Sequence, residues 1–322
     1  MGRRLFSITL VLLLSTSLTG CISNSSENSS FGDSSIEVPV WNIGQWWMYT
    51  FTTPEFGDVT TRLVVTENDT EDGTAYMLGI TNQLEAHRHA LLNFNPFLGR
   101  MTHDNLSVYE NGVPQPVFSF PLEKNKQWSF DLLGFEGWTA EVIEIGKDSA
   151  LITATHTDGG TITYTFSEEI GFMSQFKWID SGSTNRIEMR WGGVSGTNYD
   201  GDAYFVKAVD LWNELYQGND GTLYDSQFLN NGHPTQGEFD HLYVYLDVEI
   251  TSTSTSHGSL LLKTHSGVHA KEEIWPGGTS EKGSISVIPS QVEEYALEVS
   301  CTGADSKIHL IIVGGIETAW DL

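Results

Sequence analysis

Basic side chains are scarce in this chain. Its 322 residues hold 16 Lys and Arg against 42 Asp and Glu, a formal net charge of −26. A nucleic-acid partner needs a basic footprint to displace counterions from the phosphates, so that class is excluded. Cysteine is scarcer still. Two residues cannot staple a disulfide-dense scaffold, and without a C-x-x-C pair there is no thiolate zinc site. No uninterrupted apolar run approaches the ~20 residues that cross a bilayer. Familiar catalytic signatures are missing too: no G-x-S-x-G elbow, P-loop, G-x-G-x-x-G or H-E-x-x-H. Aromatic residues, by contrast, make up 11% of the chain, which argues for packed cores rather than disorder. The length suits about two domains.

Residues 1–20 read as a signal peptide. Arg3 and Arg4 supply the positive start, and Leu5 to Leu14 a short apolar run. Leu18-Thr19-Gly20-Cys21 then resembles the lipobox of prokaryotic lipoproteins. That resemblance implies a lipid on the Cys21 thiol, with the membrane as a partner through this anchor. It also implies a place in the cell envelope, on the outer face of the membrane. Arg3-Arg4-Leu5-Phe6 resembles part of a twin-arginine signal as well, so the export route stays open. Residues 21–36 form a Ser/Asn-rich tether. Cleavage before Cys21 removes two arginines and no acid, leaving a charge of −28. Acylation of Cys21 would leave Cys301 alone, in a strand-like segment that suits a buried, inert thiol.

Beyond residue 36 the segments read as strand and turn, so the chain is expected to be all-β. Residues 37–193 contain a diverged duplication, with copies near 37–113 and 114–193. Gly44-Gln45-Trp46-Trp47-Met48-Tyr49 matches Asn125-Lys126-Gln127-Trp128-Ser129-Phe130. Gly and Asn tolerate positive φ best, so both copies can enter a strand through the same tight turn. Further on, Phe94-Asn95-Pro96-Phe97-Leu98-Gly99-Arg100-Met101 matches Phe166-Ser167-Glu168-Glu169-Ile170-Gly171-Phe172-Met173. The tryptophans at 41, 46, 47, 128, 138, 178 and 191 lie in this region and are expected mainly to fill its core.

The G-x-x-W-x-Y start, the closing aromatic–aliphatic–Gly element and Phe120-Pro121-Leu122 ahead of Trp128 resemble secreted prokaryotic lipoproteins. Some of these have a curved half-barrel sheet similar to lipoprotein-carrier proteins. The resemblance implies a concave apolar face able to hold a lipid or another hydrophobic ligand. Asn125 stands where that pattern has Gly.

Residues 194–202 look like a linker. Residues 203–217 fit either a helix or a broken strand. The region 203–322 reads as a β-sandwich, with strands expected at 241–250, 259–264, 283–288, 295–300 and 307–313. Leu246 to Ile250, Gly258 to Leu262 and Glu294 to Val299 resemble jelly-roll modules appended to extracellular peptidases. Such modules imply an accessory, non-catalytic role. The fold class is thus a duplicated antiparallel curved sheet or half-barrel followed by a β-sandwich.

Candidate sites are few. Asp180-Ser181-Gly182 resembles one half of an aspartic-protease site, but no second D-[ST]-G supplies the partner carboxylate, so a turn is expected. His87-Arg88-His89 would put two imidazoles on one face of a strand, with no third ligand near. His265 and His269 would share a face only on a helix. Asp200-Gly201-Asp202 and Asn219-Asp220-Gly221 read as Asx turns, since the full calcium loop is absent. No metal, cofactor or catalytic residue is assigned. Asn24, Asn28, Asn68 and Asn105 begin glycosylation sequons.

The acid surplus is even, 13 in residues 37–201 and 13 in 202–322. It fits a solvated surface in a salty habitat, such as an archaeal one, where screening over about 8 Å or less softens self-repulsion. The expected function is a lipid-anchored binding or accessory protein for a hydrophobic or glycan ligand or a partner protein, without catalysis. A secreted hydrolase with carboxylates assembled by the fold, or a structural or adhesive envelope component, is the alternative.

Overall fold

A computed structural model describes residues 35–68, 73–218, 223–229, 239–291 and 295–322. Cys21, Asn24 and Asn28, like Asn219-Asp220-Gly221, lie outside the described residues.

The first region carries β1 (Trp46–Thr53), β2 (Gly57–Asn68), β3 (Ala75–Ile80), a helix α1 (Gln83–Leu92), β4 (Gly99–Thr102), β5 (Val108–Glu110) and β6 (Val113–Gln115). It continues with β7 (Gln127–Leu132), β8 (Phe135–Ile145), β9 (Ser149–Thr155), β10 (Thr161–Ser167), β11 (Phe172–Ile179) and β12 (Asn185–Gly196). After these come β13 (Asp202–Gly218), β14 (Leu223–Leu229), β15 (His241–Glu249) and β16 (His257–Thr264). The last are β17 (His269–Pro276), β18 (Ser280–Pro289), β19 (Tyr295–Cys301) and β20 (Ser306–Asp321). Among the described residues the structure is all-β apart from α1, and the named pairings are antiparallel.

A 16-stranded sheet runs in the order β18-β15-β20-β13-β3-β2-β1-β12-β11-β10-β9-β8-β7, with β4, β5 and β6 branching from β3. A 4-stranded sheet, β14-β19-β16-β17, lies apart from it. The larger sheet continues across residues 194–202: β12 reaches Gly196, and β13 pairs with β3 through Tyr204 and Ile80. The ambiguous segment 203–217 is strand, within β13. Its broken periodicity reflects a bulge between Asp210 and Trp212 against β20.

The duplication is structural. Gly44 has φ +82° and Asn125 has φ +64°. Gly44 N–H donates to Val65 O at 2.8 Å, and Asn125 N–H to Val142 O at 2.9 Å. The return bonds match as well, Val65 N–H to Gln45 O and Val142 N–H to Lys126 O. At the second marker, Gly99 and Gly171 both have positive φ, and Met101 and Met173 are both fully buried. The copies differ between these markers. Where the second copy has β10, the first has α1.

Alternation assigns the faces. In β1, Trp47, Tyr49 and Phe51 point inward and are at most 1% exposed. They join a core reaching from Ile36 to Val313. A second core lies around the 4-stranded sheet and takes Leu242, Val244, Leu246 and Val248 from β15. Tyr243 and Tyr245 of the same strand belong to the first core. β15 is therefore buried on both faces, which explains its nearly continuous apolar sequence.

Helix α1 corrects the expectation that His87-Arg88-His89 is a strand. Asn82 caps it, its Oδ1 accepting from Glu85 N–H at 3.2 Å. Asn93 ends it in the left-handed region, φ +50°. On a helix His87 and His89 are about 200° apart, so they face different neighbours.

Candidate functional site

The concave face expected to hold an apolar ligand is filled by its own chain. Phe118 packs against Tyr164 and Phe166 at 5.5 Å between ring centroids. Phe97 packs against Phe172 and Phe176, and Phe94 against Trp178. The covering side chains come from 94–98 and 106–122, segments that close over the sheet. Tyr164 O–H donates to Val117 O, tying sheet to cover, and Tyr49 O–H donates to Met173 O within the sheet, from β1 to β11. Burial pushes both phenols well above the usual tyrosine range. Trp47 and Trp138 are at most 1% exposed, and Trp41 and Trp178 are buried with them. Trp46, Trp128 and Trp191 are half-buried.

An open groove lies beside the branch β4-β5-β6. Its volume is about 660 Å³, and Arg100, Thr102, His103, Asp104 and Tyr109 line it, with Thr74 and Pro114. The short strands β4 and β5 place these groups. Arg100 sits on β4 with its guanidinium 4.2 Å from the Tyr109 ring centroid. His103 follows β4, its ring 4.1 Å from that of Tyr76, and its backbone N–H donates to Thr74 O. The His103 Nε2 atom is buried and has no hydrogen-bond partner among the described residues. Asn105 shapes the turn: its Oδ1 accepts from Thr102 Oγ1 at 2.6 Å and from Ser107 N–H at 3.1 Å. Its sequon is thus in the loop between β4 and β5, while Asn68 ends β2 on the surface. None of Arg100, His103 or Tyr109 stands out in sequence as a site residue. They are brought together by three short strands with little periodicity, and only the Asn105 and Asn111-Gly112 turn signals bracket them.

A compact group of charges is internal, on α1. Glu85 and His89 are 3% and 6% exposed. Arg88 donates to Glu85 at 3.1 Å. His89 Nε2 stands 3.6 Å from Glu85, too far for a hydrogen bond. Burial, and after it the Arg88 charge, holds the His89 pKa down to about 3. Burial raises the Glu85 carboxyl, with Arg88 opposing. His87 turns the other way and meets Glu317 of β20 at 2.6 Å, while Gln83 donates to the other oxygen of Glu317 at 2.7 Å. These charges seal α1 against its neighbours and do not line the groove.

Asp180 closes the turn between β11 and β12, its carboxylate accepting from Thr184 N–H at 2.8 Å. Gly201 pairs with Leu322 through the backbone, and Tyr199 O–H donates to Asp202 O, so Asp200-Gly201-Asp202 is a turn beside β13. His269 begins β17, a strand absent from the sequence reading, and bonds Glu272 at 2.9 Å. His265 lies in the turn before it. Cys301 is a buried free thiol whose pKa burial raises. His156 bonds Asp158 at 2.7 Å and the Glu136 carbonyl at 3.0 Å. The Asp158 bond raises the imidazole above its ordinary range.

No family model and no curated protein matches the chain. Solved structures overlap it weakly. Dimeric latent PorU from Porphyromonas gingivalis is similar at 12% identity and a TM-score of 0.21, covering 56% of this chain and 19% of that one. The chain thus spans about a fifth of PorU's length. An exo-β-1,3-galactanase from Phanerochaete chrysosporium is similar at 7% identity and a TM-score of 0.18, covering 79% and 78%. A glycoside hydrolase family 43 arabinoxylan arabinofuranohydrolase from Bacillus subtilis is similar at 10% identity and a TM-score of 0.19, covering 80% and 66%. At these scores the overlaps assign neither a family nor an activity.

Proposed function

We propose that the protein is a lipid-anchored, extracytoplasmic binding protein that docks its ligand on an open surface groove. The Cys21 lipobox and the tether support its place outside the membrane. One observation supports surface docking: the concave face is occupied by Phe94, Phe97 and Phe118, while the groove at β4-β5-β6 is open. A carrier would need that concave face empty. The hydrolase alternative gains little here, because Asp104 is the only carboxylate among the described lining residues, and carboxylate-pair glycoside chemistry needs two.

Titration of the full-length protein with a fluorescent fatty acid tests the reading. The expected result is no saturable site. Stoichiometric binding that quenches the buried tryptophans would restore the carrier. Anchoring has its own test: Cys21→Ser should move the protein from the membrane to the soluble fraction, and unchanged fractionation would remove the anchor from the proposal.

A further inference from the structure

We infer that the groove takes a neutral, hydroxyl-rich glycan, an inference that rests on the groove being the ligand site. Its lining decides between ligand chemistries.

A sugar ring presents C–H faces and hydroxyls that both donate and accept. Tyr109 offers a flat ring held beside the Arg100 guanidinium on one side and opposite Pro114 across β5 and β6. Aromatic rings of this kind supply apolar contact area at low entropy cost. Around it the polar atoms are of mixed sense. His103 Nε2 can donate or accept according to tautomer, and it is buried without a partner among the described residues. Thr102 Oγ1 spends its hydrogen on Asn105 and already accepts from Ser107 N–H, so one acceptor position is left. Asp104 is exposed and accepts only.

Other ligand classes fit worse. A polyanion wants donors throughout, and it would meet Asp104 within the groove and a chain charge of −26 beyond it. A hydrophobic ligand would bury His103, Thr102 and Asp104 with no hydrogen bonds in return. Neutral hydroxyls use each of these groups. The groove's breadth, about 660 Å³ and open to solvent, accommodates an oligosaccharide segment.

Full-length protein in detergent should be tested on an oligosaccharide array. The array would carry neutral gluco-, manno- and galacto-oligosaccharides beside uronate-containing and sulfated ones. Neutral members are expected to bind. Affinity should fall at least tenfold in Tyr109→Ala and in Asp104→Ala, and recover in Tyr109→Phe, with the thermal midpoint unchanged in Asp104→Ala. Neutral binding indifferent to these substitutions would overturn the groove assignment and the proposed function with it. Binding of acidic members alone, abolished by the same substitutions, would keep the groove as a site and overturn the neutral-glycan inference. Failure to bind any oligosaccharide would also overturn it.

Discussion

His89 is held neutral by its surroundings, with a pKa near 3. In the unfolded chain it titrates near 6.5. The folded state therefore binds fewer protons between these limits, and stability present above pH 6.5 is lost as pH falls toward 3. The full 3.5-unit difference corresponds to roughly 4–5 kcal/mol. Glu85 acts in the opposite sense. Its raised pKa gives stability present below about 4.5 and lost as pH rises through the folded value, so part of the loss is offset. Urea unfolding at pH 7 and pH 4 should show this slope, and His89→Gln should remove most of it; an unaltered slope would exclude His89 as its source. Asn125 is held in the left-handed region. Its φ of +64° suits Asn and Gly and strains other side chains. Asn125→Ala should cost about 1 kcal/mol in chemical denaturation, while Asn125→Gly should cost nothing measurable. This turn was legible in sequence, because an αL position writes itself as Gly or Asn.

Elements were legible wherever one face is buried and the other wet. β1, β10 and β11 alternate apolar and polar residues, and the pleat, which sends successive side chains to opposite sides, turns that alternation into faces. α1 was not legible by pattern, since it is packed on several sides and carries charges inward. Its only local signal is Asn82-Gln83-Leu84-Glu85, a capping-box spacing. Asn82→Ala should lower stability by about 1 kcal/mol, measured by thermal or urea unfolding. β17 was missed for a different reason. It is an edge strand in which Trp275 alone is buried and Ile274 is exposed, so hydrophobic alternation hardly marks it. Between elements, Gly99 marks a close approach: a Cβ there would lie 2.7 Å from the Phe205 ring of β13, at a φ of +86°. Gly99→Ala is expected to cost roughly 1–3 kcal/mol, and a neutral result would show that Phe205 moves freely. The groove was illegible at this scale too. Its residues sit on or beside strands of three and four residues, below the length at which a period can be read.

Across the whole molecule, acid surplus and topology set the behaviour. A formal charge of −26 on the chain repels itself at low salt. Raising salt from low to molar concentration should therefore raise the thermal midpoint, at about 2–4 °C per kcal/mol gained. A midpoint indifferent to salt would count against the salty-habitat reading. The two cores share β15, so calorimetry should give one cooperative transition; two separated transitions would show that the cores melt independently. The all-β class and the duplication could be read ahead of the structure. The continuity of one sheet through β13 and β3 could not, because a single backbone pair, Tyr204 with Ile80, leaves no mark on composition.

The position of β20 carries a consequence in time. It lies between β13 and β15, and it follows both in the chain. During synthesis those two strands must wait for it, β13 through some ninety residues. At translation speeds of about 5–20 residues per second, that is a delay of several seconds with two hydrogen-bonding edges unmated. The molecule is closed by a keystone laid late, and the open edges of the nascent chain must be kept from other strands until then.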